Sequence, residues 1–220
     1  MRGSDKENRE VAMRSKLTVK NNGDIVTVTG ERTDLQVVVE ERDDVWIHFV
    51  GLNDDTILTF ADGDGATLMK GWGLNQEWTY PDPSLTPDGE GSVPTGYMSI
   101  DIHVPSDTKV EASVDGGSIH CPDQLNSPTL NATEEGIIVL QRVVGQSKVT
   151  TAAGLINIFD LGPGTADLTS TGGNIEVHIE PQDDAPNVTA RTVTGDIAFS
   201  GEYAVDDIDA RSTKGEVHYN

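Results

Sequence analysis

The chain has 220 residues and a formal net charge of −22, because 37 Asp and Glu residues stand against 15 Lys and Arg residues. Proteins that bind nucleic acid usually carry a surface rich in Lys and Arg, which so acidic a chain does not offer, so we expect no nucleic-acid partner. The single cysteine excludes an intrachain disulfide framework and a cysteine zinc cluster. No run of 18 apolar residues is present, so we expect no transmembrane segment.

The N-terminal part of the chain divides into a tail and a strand-rich segment. Residues 1–15 are polar and aperiodic, which predicts a disordered tail, and they contain no apolar core of a signal peptide. Residues 16–60 contain strand-like runs at 35–39 and 45–50, which are separated by a polar turn, and a third at 56–60. We expect this segment to begin or cap the fold that follows.

Residues 61–96 form the least regular part of the sequence. They contain seven Gly and four Pro residues and show no apolar periodicity, which predicts a long loop insertion. The same segment carries Trp72, Trp78 and Tyr80. Aromatic side chains on a loop are candidate binding anchors, so these three are the binding residues that the sequence predicts; the alternative is that they fold back on the sheet as a local apolar cluster.

A repeat of about 20 residues dominates residues 97–220 and predicts six units. Its glycines are separated by 19, 18, 19, 22 and 20 residues: Gly117, Gly136, Gly154, Gly173, Gly195 and Gly215. Aliphatic residues follow each glycine at the second position: Ile119, Ile138, Ile156, Ile175, Ile197 and Val217. A second alternating segment precedes each glycine, so the unit is predicted to be strand, glycine turn, strand. The glycine is expected to supply a turn conformation that other residues resist.

Stacking such units buries an apolar ladder that one unit cannot bury alone. The sequence therefore predicts a single all-β domain over residues 16–220, a β-solenoid of stacked strands. The repeating isoleucines are expected to form one buried ladder. An antiparallel sandwich of evenly spaced hairpins is the alternative.

The residue types that carry chemistry do not form a recognisable motif. The five histidines lack zinc-ligand spacing, and Cys121 falls on an apolar position of the repeat, where a thiol is expected to be buried. We therefore predict no metal site, no cofactor and no catalytic residue. Asp196 and Glu216 occupy neighbouring outward positions, at the separation of a retaining glycosidase pair, and they support the alternative of an enzyme.

The run 100–121, IDIHVPSDTKVEASVDGGSIHC, resembles the entry into the repeats of a family of bacterial and archaeal β-strand-repeat proteins described as adhesins. The shared elements are Val104-Pro105, Thr108-x-Val110 and a Gly-x-Ile turn. The resemblance implies a stacked β-strand fold, a location at the cell envelope and no catalytic residues.

These observations together predict a non-enzymatic, adhesin-like binding or scaffold module with a protein or glycan partner. A carbohydrate-active β-helix enzyme is one alternative, and a self-assembling structural protein is another. The latter would associate edge to edge through the C-terminal strand around Val217 and Tyr219, because an uncovered strand offers unpaired N–H and C=O groups to another chain.

Overall fold

We analysed a computed structural model of the chain. The structure describes residues 16–21, 24–42, 45–51, 57–62, 65–69 and 98–220. In these parts the chain is almost entirely β-structure, and its regular elements are 18 strands and one short 3₁₀ helix, Val205–Asp207.

The strands all belong to one continuous hydrogen-bonded sheet that wraps around the core. In chain order they are β1 Lys16–Asn21, β2 Ile25–Glu31, β3 Thr33–Glu40, β4 Trp46–Gly51, β5 Ile57–Asp62, β6 Gly65–Met69, β7 Met98–Pro105, β8 Lys109–Asp115, β9 Ile119–Asn126, β10 Thr129–Ala132, β11 Ile138–Thr151, β12 Ile156–Ile158, β13 Leu161–Ser170, β14 Ile175–Ile179, β15 Asn187–Thr192, β16 Ile197–Gly201, β17 Ile208–Ser212 and β18 Val217–Tyr219.

The strands form a β-solenoid of about five turns with a spacing of about 20 residues, which confirms the predicted fold class. We call its two sides face A and face B. Face A contains β2, β8, β10, the second half of β11, the second half of β13, β15 and β17, all in parallel register. Face B contains β3, β9, the first half of β11, β12, β14, β16 and β18, again in parallel register.

The isoleucine ladder predicted from the repeat is present on the inner side of face B. The successive register partners are Leu35, Ile119, Ile138, Ile156, Ile175, Ile197 and Val217. The five isoleucines are fully buried, and Val217 in the last coil is half-buried. The predicted ladder is thus confirmed. The aliphatic contacts run unbroken from coil to coil, so each unit stabilises its two neighbours.

The glycines of the repeat serve a different purpose from the one that the sequence suggested. Among the described residues, the glycines with a positive φ are Gly116, Gly145, Gly164 and Gly201, and none of them belongs to the repeating set. Each repeat glycine instead lies against the carbonyl oxygen of the preceding coil. A Cβ atom at Gly173 would lie 1.8 Å from the oxygen of Gly154. The other five repeat glycines approach a carbonyl oxygen of the preceding coil in the same way, and we call the six together the glycine column. Close approach of the backbones, rather than turn conformation, therefore selects glycine here.

A ladder of buried hydroxyl groups accompanies this glycine column. Thr192 Oγ1 donates to the carbonyl oxygen of Gly173 in the preceding coil at 3.0 Å, and it accepts from the N–H of Gly195 in its own turn at 3.2 Å. Ser212 repeats both contacts, with Gly195 and Gly215. The ladder satisfies turn groups that would otherwise be buried without partners. Its signal in the sequence is a Thr or Ser three residues before the glycine.

The N-terminal strands lie at one end of the stack, and some of them pair in antiparallel rather than parallel orientation. On face A, β1 runs antiparallel to β2, β5 parallel to β1, and β6 antiparallel to β5. On face B, β7 runs parallel to β3 and β4 antiparallel to β7. The long loop was predicted from residue 61, but β5 continues to Asp62 and β6 occupies Gly65–Met69. The apolar residues of the run ATLM were too few to predict this strand.

The other end of the stack is the coil of β17 and β18. In the described chain β17 pairs only with β15, and β18 only with β16. Val217 is half-buried and Tyr219 is 42% exposed, so the strands of the N-terminal end do not cover them.

Within the residues that the structure describes, none of the helices has the length and apolar character needed to cross a membrane.

Candidate functional site

The aromatic anchors predicted from the sequence, Trp72, Trp78 and Tyr80, lie outside the described residues. Their role as binding residues stays a prediction. Candidate sites in the described chain must therefore come from the outward-facing residues of the two faces.

Face A presents a polar surface whose charges compensate one another. Its outward residues include Thr27, Thr29, Glu111, Ser113, Thr129, Asn131, Lys148, Thr150, Asp167, Thr169, Thr189, Arg191, Asp209 and Arg211. Lys109 Nζ lies 3.0 Å from Glu111 Oε1, and Arg191 forms an ion pair with Asp209. The hydrogen bond from Arg191 lowers the pKa of Asp209 from its ordinary value. This face is a solvated surface with little net charge.

Face B differs because it carries an apolar patch, which we define as Ile137, Val139, Leu155 and Phe159. Ile137 is 42% exposed and Phe159 is 49% exposed, while Val139 and Leu155 are half-buried. Ile137 and Leu155 flank the paired Ile138 and Ile156, so they occupy adjacent outward positions in neighbouring coils. Side chains at such positions are about 5 Å apart and form a continuous surface.

Acidic residues surround the apolar patch on two sides. They form the acidic rim, which we define as Glu134, Glu135, Glu176, Asp196 and Glu216, all of them exposed. Glu134 and Glu135 stand in the turn that leads into Ile137. The other three lie on the coils that follow Leu155 along the stack. The patch is therefore an apolar surface in a negative field.

Arg142 lies at the corner of the solenoid beyond Phe159, where acidic side chains neutralise its charge. Arg142 forms an ion pair with the buried Asp160, and its Nη1 atom lies 4.0 Å from Glu180 Oε2. The Oδ1 atom of Asp160 is buried and has no hydrogen-bond partner. The guanidinium thus offsets the cost of burying this carboxylate and leaves the rim acidic. Sequence reasoning did not identify this pair.

Asp196 and Glu216 lie in neighbouring coils, as their repeat positions predicted, but one of them has a structural role. Asp196 Oδ1 accepts a hydrogen bond from the backbone N–H of Glu216 at 2.8 Å. Asn174 Oδ1 accepts in the same way from the N–H of Asp196, at 2.9 Å. These side chains bridge successive coils along the row, so this contact accounts for an Asp at position 196 without catalysis.

The remaining titratable candidates are separated or buried. His178 Nδ1 lies 2.9 Å from Ser200 Oγ, and His120 and His218 stand in coils far apart along the stack. Cys121 is buried in the core, and burial raises the pKa of its thiol to about 12. Among the described residues no group of three or more His, Cys, Asp or Glu side chains is arranged to hold a metal ion.

Sequence reasoning placed Ile137 and Leu155 at outward positions but did not identify them as a site. The signal was present in the repeat itself. At the position after the glycine the other coils have Ser118, Asn174, Asp196 and Glu216, whereas these two coils have aliphatic residues. The patch is therefore visible in the sequence as apolar residues at an outward position that is polar in the other coils.

Comparison with protein families identifies the chain. The model of the family described as Toastrack DUF4097 matches residues 108–220, just over half of the chain. The chain therefore belongs to this family of domains of unknown function. No curated protein and no solved structure matches it.

Proposed function

We propose that this Toastrack protein is a non-enzymatic binding module that presents face B of its solenoid to a protein or glycan partner. The observation that carries the proposal is the exposed apolar patch of Ile137, Val139, Leu155 and Phe159. Surface apolar residues scattered singly need no explanation, but an adjacent group with a polar rim is typical of an interaction site.

The fold supports this role because it holds the patch on paired strands rather than on a loop. Ile137 directly precedes β11, and Leu155 directly precedes β12, and the two strands pair in register. The isoleucine ladder beneath them is fully buried. A surface held in this way loses little conformational entropy on binding.

Site-specific photocrosslinking tests the proposal. A photoreactive phenylalanine analogue replaces Ile137, and in a control protein it replaces Asp167, an exposed outward residue of β13 on face A. In an extract of the cells that encode the protein, we expect a discrete adduct from position 137 and none from position 167. Equal labelling from the two positions, or none from position 137, would contradict the proposal.

The aromatic residues Trp72, Trp78 and Tyr80 form a second part of the proposed binding surface, on the evidence of their sequence alone. Replacing all three by Ala is expected to leave the far-UV circular dichroism of the sheet unchanged and to reduce the yield of the adduct. An unchanged yield would remove them from the binding surface.

The enzyme alternative rests on Asp196 and Glu216. Hydrolysis of a polysaccharide that is lost in Glu216→Gln, while Glu176→Gln retains it, would establish a glycosidase and overturn the binding proposal. Because Asp196 bridges two coils, the Glu216 variant is the more informative of the pair.

Self-assembly is the second candidate function, and the one-sided pairing of β17 and β18 favours it. At the opposite end of the stack the outermost strands are β6 and β4, which run antiparallel to β5 and β7, so coil-to-coil stacking there would not continue a filament. A closed two-fold dimer is the expected product. Light scattering should show association that rises with salt, because salt screens the net charge of −22. A monomer at every salt concentration would contradict it.

An adhesin-like role at a cell envelope is the finer form of the binding proposal. Its support is the resemblance of residues 100–121 to the repeats of proteins described as adhesins. Fractionation of cells that express the full-length gene tests this location, and recovery only in the cytosolic fraction would contradict it.

A further inference from the structure

We infer that the partner of face B is a protein segment that combines apolar side chains with lysines or arginines. This inference rests on the proposed function and names the chemistry that the patch and its rim would recognise. Two independent observations carry it, the apolar patch and the sign of the charge around it.

The apolar patch forms the centre of the expected contact. Ile137 and Leu155 are neighbours across two coils, and Val139 continues the surface along β11. Removing these side chains from water stabilises a complex in proportion to the apolar area buried. A partner therefore needs at least one aliphatic or aromatic side chain that reaches this centre.

The charge around the apolar patch determines which side chains a partner needs on either side of its apolar residues. The five carboxylates of the acidic rim are exposed, and among the described residues none of them has an ion pair with Lys or Arg. Glu216 has a basic neighbour of another kind, because its Oε2 atom lies 3.5 Å from Nε2 of His218. On face A, by contrast, Lys109 and Arg191 pair with carboxylates of the same face. Exposed negative charge that no Lys or Arg of the described residues compensates, beside an apolar centre, selects a partner of positive charge and speeds its association.

The same rim opposes other classes of partner. An anionic membrane or a nucleic acid would bring negative charge against the five carboxylates. A neutral glycan can donate hydroxyl hydrogen bonds to the carboxylates, but it carries no charge that the rim attracts. A cationic protein segment satisfies both the rim and the patch.

The spacing of the site indicates how such a segment would be arranged. Along the stack, one outward row reads Ile137, Leu155, Asn174, Asp196 and Glu216, with about 5 Å between neighbours. Leu155 and Asp196 are thus about 10 Å apart. In an extended peptide this distance corresponds to about three residues. Lysines placed two or three positions from the apolar side chains would reach the rim.

The experiment uses three synthetic peptides and the full chain. The test peptide is Lys-Lys-Leu-Ser-Leu-Ser-Leu-Lys-Lys, which has apolar side chains at alternate positions and lysines at both ends. One control peptide replaces the leucines by serines, and the other replaces the lysines by glutamates. Binding is measured by fluorescence anisotropy of labelled peptides at low and at high salt. We expect the test peptide to bind at least about tenfold more tightly than either control.

Variants of the protein locate the binding. Leu155→Ser and Glu176→Gln change exposed or half-buried outward residues of face B, so the core should remain folded. Each is expected to weaken the binding of the test peptide by about tenfold, whereas Thr169→Ala and Asp167→Asn, which change outward residues of face A, leave it unchanged. The effect of Glu176→Gln should shrink at high salt, and that of Leu155→Ser should persist.

The outcomes separate this inference from the proposed function. A photocrosslinked partner at position 137 without binding of the test peptide would overturn the cationic class and leave face B as a binding surface. Equal binding of the serine control peptide, or an equal loss in Asp167→Asn, would show attraction to the net charge alone and overturn the inference. A dimer of the chain that Leu155→Ser dissociates would assign face B to a second copy and overturn it as well.

Discussion

The substitution Gly173→Ala tests the glycine column, which is the feature of the fold that depends most on a single atom. A Cβ atom at this position would lie 1.8 Å from the carbonyl oxygen of Gly154 and 2.5 Å from its carbonyl carbon. Real Cβ contacts essentially never fall below 3.0 Å, so the two coils must separate locally by about 1 Å or more. The obstacle is backbone, which cannot rotate away as a flexible side chain would.

The magnitude follows from the bonds that such a separation breaks. The N–H of Ile156 donates to the oxygen of Asn174 at 3.0 Å, and the N–H of Gly172 donates to the oxygen of Ala152 at 2.7 Å. An opening of about 1 Å takes both beyond hydrogen-bond distance. Each lost bond costs about 1 kcal/mol, and overpacking adds about 1–3 kcal/mol. We therefore expect Gly173→Ala to lower the free energy of unfolding by about 3–5 kcal/mol.

The adjacent substitution Gly172→Ala is the matched control. Its Cβ atom would lie 3.3 Å from the Cβ of Ala153, and Gly172 does not have a positive φ. We expect an effect within about 1 kcal/mol, since the tight contact is offset by a smaller entropy of the unfolded chain. Urea unfolding followed by far-UV circular dichroism compares the two variants. The Gly173 variant should lose about 1–2 M in its midpoint. Equal midpoints for the two variants would refute the close-approach explanation of the column.

Three further predictions concern the core and the corner of the solenoid. Ile175→Ala should lower the free energy of unfolding by about 2–5 kcal/mol, because the side chain is fully buried, while the exposed Ile137→Ala should have little effect in the same urea experiment. Arg142→Ala should cost about 2–3 kcal/mol by leaving the Asp160 carboxylate buried without a partner, and adding Asp160→Asn should recover most of it. Cys121 should resist a thiol reagent until the protein unfolds. The pKa of the Cys121 thiol is raised from 9.0 to about 12 in the folded state, so above pH 9 the thiol ionises first in the unfolded state. The free energy of unfolding should therefore fall as the pH rises above 9, and Cys121→Ala should remove this pH dependence.

The fold could be predicted from the sequence because the inner residues obey one constraint in every coil. A residue such as Ile156 contacts an aliphatic residue in the coil before it and another in the coil after it. The apolar side chain therefore recurs at one offset from the glycine, and the period is visible without structural information. The same constraint acts on Thr192 and Ser212, whose hydroxyl groups repeat at one offset, although the sequence does not say which groups they bond.

The reason for the glycines could not be predicted, since two physical causes give the same sequence pattern. A left-handed turn and a close backbone contact both require the absence of a Cβ atom. Only the coordinates show that the repeating glycines lack a positive φ and that the oxygen of Gly154 occupies the place of a side chain at Gly173. The strand β6 was missed for another reason. Its partner is β5 rather than a repeat unit, so no period marked it.

The candidate site lies where the core requires no apolar residue, and this is why its residues carry information about function. The coils around the patch have polar residues at this outward position: Ser118, and Asn174 and Asp196, whose side chains accept hydrogen bonds from the next coil. Ile137 and Leu155 are not needed by the core, because Ile138 and Ile156 fill it from the inner side. Adjacent aliphatic residues on the outside of a strand promote unwanted association, which strand proteins usually avoid. Their presence beside the exposed carboxylates of the acidic rim therefore favours a partner that covers them, and the charge of the rim determines which partners can do so.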